Sequence, residues 1–291
     1  MPRDRGTTGG ALGRRAFLGT AAAAVGGGVA LGSAAASDAE TFPQVSTRGH
    51  FDITWYGSVE LTDGNSATNY ETRGSIPGLD GPAPGELFVH AHGWRNDQSD
   101  ALDSFGDIEA ALRQNGYGAP VVGYSWDSDT SYTEWWDATE IAERNGAKLA
   151  NFLYQYDAQN PNTTLRVCCH SLGARVALRA VEVLNENGLT DVVESLTLLG
   201  GAADNDNVAT NDDYGPDIEA ATGRTDNFYK TDDSVLEWAY GTAEFDSAVG
   251  EEGCEGPQPA NYTDNDVTYV PSHGDYYKPD SGCMDEVVAK F

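Results

Sequence analysis

A short apolar run ends in a serine and passes directly into a helical pattern at residues 165–175. Its letters are LRVCCHSLGAR, with Ser171 after the run and Gly173 two residues later. A strand that turns sharply into a helix presents one side chain in a strained, exposed position, and glycine lets the strand and helix pass closely. The stretch therefore predicts a nucleophile elbow with Ser171 as its nucleophile. A core strand that ends in a helix-capping serine is the alternative for this local pattern.

Strand-like and helix-like patterns alternate along most of the chain. Short apolar runs predict strands, and apolar residues spaced along one helical face predict helices. The predicted strands cover 86–90, 120–126, 165–169, 192–199 and 227–229, and the predicted helices cover about 102–112, 133–154 and 172–184. Such alternation implies parallel strands in a sheet that is covered on both faces. We therefore predict an α/β fold with a mostly parallel central sheet, helices on both faces and no large cap domain.

Patterns outside this alternation predict additional strands near each end of the chain. Residues 50–55 and 58–61 alternate apolar and polar side chains and predict antiparallel lead-in strands, and residues 267–270 are strand-like. In a parallel sheet, ligands bind beyond the carboxyl ends of the strands. Ser171, His92 and Asp233 each follow the predicted end of a strand.

A catalytic serine needs an imidazole to accept its proton and a carboxylate to orient that imidazole. In this type of sheet the three groups follow the chain order serine, acid, histidine. Of the five histidines, only His273 lies after Ser171. His273 is therefore the predicted general base, with a surface histidine in a polar loop as the alternative.

The acid is expected where residues 227–236 run from a strand through a turn into an amphipathic helix. We favour Asp233 over Asp232 by its position in the turn, and Asp204, at the end of the preceding strand, is the third choice. Helix capping is the alternative for all three, since Asp at a helix start is stabilising by about 1 kcal/mol.

Backbone amides that stabilise an oxyanion are expected at two places. One is Leu172, directly after the nucleophile. The other is Trp94, in the loop that follows the strand ending near residue 90, with Arg95 as the second choice. Packing of the loop is the alternative role for His92 and Trp94.

Five segments in this order resemble the α/β-hydrolase superfamily, and more narrowly its compact esterase-like and lipase-like members. They are His92-Gly93-Trp94, Tyr124-Ser125-Trp126, His170-Ser171-Leu172-Gly173, Asp233-Ser234-Val235-Leu236 and His273-Gly274-Asp275-Tyr276. The resemblance implies a Ser171, Asp233, His273 triad and hydrolysis of an ester or similar acyl bond, without metal or organic cofactor. Cys169 departs from the pattern, because it stands where the elbow usually has its first glycine.

The N-terminus has the order of features of a twin-arginine export signal. Arg14 and Arg15 precede an uncharged stretch at 19–31, and the small residues 34–36 offer a cleavage site. The stretch is shorter than the roughly 20 apolar residues of a membrane span. We therefore expect a signal at 1–36, one α/β-hydrolase domain at 37–291, the twin-arginine export machinery as a partner of the precursor, no membrane anchor and a secreted mature protein.

Acidic residues dominate the mature chain. Removal of four arginines and one aspartate with the signal leaves 13 basic and 45 acidic residues, a net charge of −32. Such a field repels nucleic acid and anionic membranes, so neither is an expected partner. The acids are interleaved with aromatic and aliphatic residues, which resembles the surface of proteins from halophiles. We expect the protein to lose structure and activity when salt is removed.

The cysteines fall into two pairs. Cys168 and Cys169 are expected to be unpaired on opposite faces of a buried strand. Cys254 and Cys283 are candidates for a disulfide around the His273 loop in an exported protein, with two unpaired thiols as the alternative. No metal-ligand spacing is evident, because residues 204–206 begin like a calcium loop without its glycine and closing glutamate.

The substrate is expected to be a small-molecule acyl ester. Residues 200–227 are acidic and poor in large apolar side chains, which gives no sign of an apolar lid. Trp126, Trp135 and Trp136 are candidates for an acyl pocket, with helix packing as the alternative. Lipase, thioesterase or peptidase activity on the same triad, or an exported non-catalytic binding protein, are the alternative functions.

Overall fold

The computed structural model describes residues 42–244 and 246–291, and an eight-stranded sheet lies at its centre. The strands are Gln44–Ser46 (β1), Phe51–Ile53 (β2), Val59–Leu61 (β3), Glu71–Arg73 (β4), Glu86–Ala91 (β5), Val121–Ser125 (β6), Thr164–His170 (β7), Val193–Leu199 (β8), Thr222–Tyr229 (β9) and Tyr262–Asp266 (β10). Their order across the sheet is β10-β9-β8-β7-β5-β6-β1-β4. All neighbours pair in parallel except β4, which is antiparallel to β1 at the edge.

The α-helices follow the strands much as the alternation predicts. They are Gln98–Gln114 (α1), Trp135–Gln159 (α2), Gly173–Glu186 (α3), Gly215–Ala221 (α4), Ser234–Ala243 (α5), Val249–Glu252 (α6) and Met284–Val288 (α7). The N-terminus of α1 is fixed by a capping box between Asp97 and Asp100. No large cap domain is inserted within the described residues, and none of their helices is long and apolar enough to cross a membrane.

The sheet separates two apolar cores. In β5, Leu87 and Val89 face the core that α2 and α3 cover, whereas Phe88 between them faces the core that α1 and α7 cover. Cys169 and Cys168 divide in the same way and are both unpaired, as the sequence predicts. Because both faces are buried, the central strands are mostly apolar, as is typical of parallel sheets.

The strand prediction near the C-terminus is wrong. Residues 267–270 form a turn, and the strand is the polar Tyr262–Asp266 just before it. Val267 and Val270 are apolar because they are buried in the α1–α7 core. The predicted antiparallel lead-in strands are confirmed as β2 and β3, which pair with each other in a separate hairpin. The short strands β1 and β4, which the sequence did not predict, extend the main sheet.

The expected disulfide between Cys254 and Cys283 is wrong, since both thiols are unpaired. Cys283 is buried in the α1–α7 core, where its thiol donates to the Tyr276 carbonyl at 3.5 Å. Cys254 packs against the opposite core, and its amide donates to Asp264 at 3.0 Å. The two thiols thus pack in different cores, Cys254 against the core that α2 and α3 cover and Cys283 in the core that α1 and α7 cover.

Candidate active site

Ser171 lies in a strained turn between β7 and α3. Its φ is +54°, and Arg95 is the only other described residue besides glycine with a positive φ. The Ser171 amide donates to the Leu199 carbonyl at 3.0 Å, and the Ser171 carbonyl accepts from Ala174 and Ala202, also at 3.0 Å. A non-glycine residue keeps a left-handed conformation only where its surroundings enforce it. These hydrogen bonds tie the elbow to α3 and to the end of β8.

Two glycines allow the backbone to approach this turn closely. A Cβ atom on Gly173 would lie 2.7 Å from the carbonyl oxygens of Ala91 and His92, so only glycine lets α3 start this close to β5. A Cβ on Gly93 would lie 3.0 Å from the Ser171 Cβ. The loop after β5 therefore lies directly against the serine. Cys169, at the position of the missing elbow glycine, is buried and donates its thiol to the Thr197 carbonyl at 3.4 Å.

Ser171, His273 and Asp233 form one continuous hydrogen-bonded row. The His273 Nε2 atom is 2.9 Å from the Ser171 Oγ, and its Nδ1 atom is 2.8 Å from the Asp233 Oδ2. The ionised carboxylate can only accept, so Nδ1 carries the proton and Nε2 is left to accept one from the serine hydroxyl. Asp233 is fully buried, and His273 is buried except for a small exposed fraction.

The Asp233 carboxylate is held from several directions. It caps α5 by accepting from the amides of Val235 and Leu236 at 3.2 and 3.3 Å, and the Tyr276 hydroxyl donates to it at 3.3 Å. Burial by itself raises the pKa of Asp233. The hydrogen bond and charge of His273 and the two amides outweigh that effect, so the pKa lies below its usual value. Capping and orientation of His273 thus coexist in one side chain.

The other two candidate acids lie away from His273. The exposed Asp232 forms an ion pair with Lys230. Asp204 accepts a hydrogen bond from the Tyr240 hydroxyl at 2.5 Å and another from Asn207 at 3.3 Å. Among the described residues, Asp233 is therefore the one carboxylate that contacts the imidazole of His273.

Backbone amides next to Ser171 are available for an oxyanion. Neither the Leu172 amide nor the Trp94 amide donates to another described residue. The Arg95 amide, in contrast, donates to the Ser128 carbonyl at 2.7 Å and is already occupied. Arg95, the second candidate for this role, therefore has its amide already engaged. Leu172 and Trp94 remain the two candidates.

His170 is a site residue that the sequence analysis did not assign. Its ring is buried, and its Nε2 atom lies 2.7 Å from the carbonyl oxygen of His273. Burial, with the nearby His273 as a second cause, lowers the pKa of His170 well below its usual value, so the ring is neutral and donates from Nε2. His170 thereby fixes the backbone that carries the imidazole. A histidine just before Ser171 is visible in the sequence, but its partner lies 103 positions later.

Arg48 is a second unassigned residue, and it holds the loop after β5. Its guanidinium donates to the carbonyls of Asn96 and Asp97 at 2.8 and 3.0 Å and to the Ser125 hydroxyl at 2.7 Å. It also lies 3.3 Å from the His92 Nε2 atom. Burial is the main reason why the pKa of His92 falls to about 3, so the neutral ring accepts on Nε2 and donates from Nδ1 to the Gly93 carbonyl at 2.9 Å.

The three candidate pocket tryptophans have different surroundings. Trp126 is fully buried, stacks on His92 and donates to the His92 carbonyl at 2.9 Å. Trp135 is also buried and donates to Glu244 at 2.9 Å. Trp136 is half-exposed and lines a groove of about 980 Å³ along α2 and α3. Ser171, His273 and Asp233 do not line that groove. Trp126 and Trp135 do not line it either, and their burial fits the packing alternative.

The described residues contain no cluster of three His, Cys, Asp or Glu side chains arranged to hold a metal ion. The chemistry available from the residues present is nucleophilic attack by a serine hydroxyl, proton transfer by an imidazole and stabilisation of negative charge by two amides.

Residues 79–237 match the model of a protein family described as "Alpha/beta hydrolase of unknown function (DUF900)". No curated protein matches the chain significantly. Similar solved structures include lipase B of Aspergillus fumigatus, at 12% identity and a TM-score of 0.41, where the match covers 66% of this chain and 49% of the lipase. This chain thus corresponds to about half the length of that lipase.

Two other solved structures are similar to a comparable extent. One is an uncharacterized protein from Bacillus cereus ATCC 10987, at 14% identity and a TM-score of 0.42, with 75% of this chain and 61% of that chain covered. The other comes from a structural analysis of two fungal esterases from Rhizomucor miehei, at 13% identity and a TM-score of 0.41. The match covers 70% of this chain and 73% of that chain.

Proposed function

This chain belongs to the family of alpha/beta hydrolases of unknown function (DUF900), and we propose that it is a serine hydrolase that cleaves carboxylic esters. The observation that carries the proposal is the row of hydrogen bonds from Ser171 through His273 to Asp233, with 2.9 and 2.8 Å between the bonded atoms. The row ends at a strained elbow beside two unoccupied amides. An intact row of this kind is unexpected in a non-catalytic binding protein.

In the proposed reaction, the Ser171 Oγ attacks the ester carbonyl carbon while His273 Nε2 takes the hydroxyl proton. The amides of Leu172 and Trp94 stabilise the negative oxygen of the tetrahedral intermediate. When the carbon–oxygen bond breaks, His273 gives its proton to the leaving alcohol, which leaves an acyl group on Ser171. Water then attacks the acyl-enzyme, with His273 first taking its proton and then returning one to Ser171. Asp233 stays ionised and stabilises the imidazolium throughout.

A soluble ester is favoured over a lipid droplet as the substrate. The large exposed apolar side chains of the described residues do not include any from 200–227, the acidic segment that follows β8. Val208, Tyr214 and Ile218 of that segment are buried in the core. Segment 200–227 thus offers no exposed apolar surface of the kind that the lid of an interfacial lipase presents, and we propose an esterase for small or medium acyl groups.

Labelling with a fluorophosphonate probe tests the proposed nucleophile. The wild-type protein should be labelled and should hydrolyse 4-nitrophenyl esters, and Ser171→Ala should lose both properties. Ser99→Ala, an exposed serine on α1, is the matched control and should retain them. Equal labelling of wild-type protein and Ser171→Ala would contradict the assignment.

Export is a separate proposal that rests on the sequence, because residues 1–36 lie outside the described residues. We propose that the twin-arginine machinery secretes the protein and that the mature chain starts at Ser37. Edman sequencing of secreted protein should give Ser37 as the first residue. Replacing Arg14 and Arg15 together with lysine should leave the precursor inside the cell, and unchanged secretion of that variant would contradict this route.

A further inference from the structure

Arg95 is an exception among the cations of this acidic protein. The structure describes nine arginines, and eight of them contact a carboxylate. Arg95 is the ninth, and its guanidinium has no acidic or hydrogen-bonded partner among the described residues. It is exposed as well, whereas Lys148, the other cation without an acidic partner, is fully buried and donates to backbone carbonyls and His50. An exposed, unpaired cation in a protein of net charge −29 is free to bind an anion from solution.

The guanidinium is held in place without an acid. Its Cζ atom lies 3.6 Å from the centre of the Tyr132 ring, which is a close cation–π contact. The backbone of Arg95 has a φ of +60°, and its amide is anchored to the Ser128 carbonyl at 2.7 Å. A left-handed arginine is strained, and such strain is common in functional loops. The fold therefore orients this side chain.

Arg95 also lies close to the proposed nucleophile. It is two residues from Gly93, which packs against Ser171, and two peptide units span at most about 7.6 Å between Cα atoms. Next to it, the rings of Trp94 and Tyr132 are 5.9 Å apart, and those of Tyr132 and Trp238 are 6.0 Å apart. Tyr132 and Trp238 are more than half exposed, and Trp238 lies on α5, the helix that Asp233 caps. This row of rings links the loop after β5 to α5.

We propose that Arg95 binds a carboxylate on the substrate and that the rings of Trp94, Tyr132 and Trp238 contact the apolar part of the same molecule. The inference rests on the proposed function and adds a substrate class to it, namely esters that also carry a carboxylate. A guanidinium matches a carboxylate with two parallel hydrogen bonds. The overall field of the protein repels anions, but molar salt shortens its range to about 3 Å, so a direct contact with Arg95 survives where the repulsion does not.

Paired esters that differ by one carboxylate test the proposal. On the acyl side the pair is mono-4-nitrophenyl glutarate and 4-nitrophenyl pentanoate, and on the alcohol side it is 4-carboxyphenyl butyrate and phenyl butyrate. Arg95→Asn removes the charge with a residue that tolerates positive φ. It should lower kcat/KM for the anionic ester of at least one pair by tenfold or more and change the neutral ester less than twofold. Arg95→Lys, which keeps the charge but not the paired hydrogen bonds, should fall between.

Arg113→Asn is the matched control, because Arg113 is an exposed arginine that pairs with Glu109 on α1. Arg113→Asn should leave the ratio of kcat/KM for the anionic ester to kcat/KM for the neutral ester unchanged in both pairs. The proposal for Arg95 would be overturned if this ratio were the same in wild-type protein and Arg95→Asn for both pairs. It would also be overturned if Arg113→Asn lowered kcat/KM for the anionic ester as much as Arg95→Asn does.

Binding without turnover separates this inference from the proposed function. Ser171→Ala should bind the amide analogue of the glutarate ester, glutaric acid mono-4-nitroanilide, in calorimetry, and adding Arg95→Asn should weaken binding at least tenfold. If Ser171→Ala hydrolyses esters as fast as the wild-type protein, the proposed function fails, while this binding measurement still decides whether Arg95 holds a carboxylate. Unchanged affinity in the double variant would exclude that role.

Discussion

At the scale of single residues, Asp233 offers the most direct test of the hydrogen-bonded row of Ser171, His273 and Asp233. Asp233→Asn preserves the shape of the side chain but presents an amide to His273, which favours the wrong tautomer. The corresponding change in a serine protease lowers kcat roughly 10⁴-fold. We expect a loss of that order in ester hydrolysis for Asp233→Asn. Asp232→Asn, its exposed neighbour, should stay within about twofold of the wild-type rate, and a large loss there would shift the assignment.

The lowered pKa of Asp233 also predicts how stability depends on pH. A carboxyl group whose pKa is lower in the folded than in the unfolded state stabilises the fold above its unfolded pKa and loses that effect as pH falls through its folded pKa. The difference in free energy of unfolding between wild-type protein and Asp233→Asn should therefore shrink between about pH 5 and pH 2. Urea unfolding at several pH values measures it. A difference that stays constant would mean that the Asp233 carboxylate is not stabilised by the fold.

His170 should behave as a positioning residue, because it touches the backbone of His273 and not the reacting atoms. His170→Leu removes the donor to the His273 carbonyl and should lower kcat about tenfold to a hundredfold with little change in KM. His170→Gln keeps an N–H donor and should recover part of the loss. Equal kcat in the two variants, at unchanged melting temperature, would show that the hydrogen bond has no positioning role.

The sequence predicts some of these residues and not others for a physical reason. Ser171, His273 and Asp233 are constrained by local turn patterns and by chain order, both of which can be read from one sequence. His170 and Arg48 act through carbonyl groups 103 and 48 positions away, and a backbone carbonyl has no residue type by which a sequence could reveal it.

At the scale of secondary-structure elements, close contact between α3 and β5 decides the geometry of the elbow. Gly173→Ala would place a Cβ 2.7 Å from two carbonyl oxygens, which the backbone cannot easily move. We expect the variant to be less stable by about 1–3 kcal/mol and to lose most of its activity. Denaturant unfolding together with ester hydrolysis measures both effects.

Gly106→Ala is the matched control for that substitution. Gly106 lies in α1 and has open space around its Cα, so alanine should be neutral or stabilising by about 0.5–1 kcal/mol. If the two alanine variants had equal stability, the approach of α3 to β5 would not limit the fold.

Element prediction from the sequence succeeds where burial and periodicity agree. Strands β5 to β8 are mostly apolar because both faces of the sheet are covered, and each of them is predicted from its apolar run. Prediction fails for Tyr262–Asp266, a polar strand that pairs with β9 at the edge of the sheet. It also fails for Val267 and Val270, whose apolar character reflects burial in a turn.

At the scale of the whole molecule, charge should control stability more than any single contact. The chain has 46 acidic and 17 basic residues, so most carboxylates lack a cationic partner even though nearly all described arginines are paired. Salt weakens both the exposed ion pairs and the repulsion among the excess acids. Exposed ion pairs contribute at most about 1 kcal/mol each, and they are far outnumbered by unpaired acids. Relief of repulsion should therefore dominate, and added salt should stabilise the fold.

Thermal melts followed by circular dichroism test this expectation. The melting temperature should rise steadily from 0.05 to 2 M KCl, since the screening length falls from more than 10 Å to about 3 Å or less over that range. Sucrose is the control, because it stabilises folded proteins by exclusion from their surface without screening charge. A fixed sucrose concentration should therefore raise the melting temperature at every KCl concentration without removing its dependence on KCl. A melting temperature that does not depend on KCl would mean that the acids are too far apart to repel one another, and the expected loss of structure without salt would be wrong.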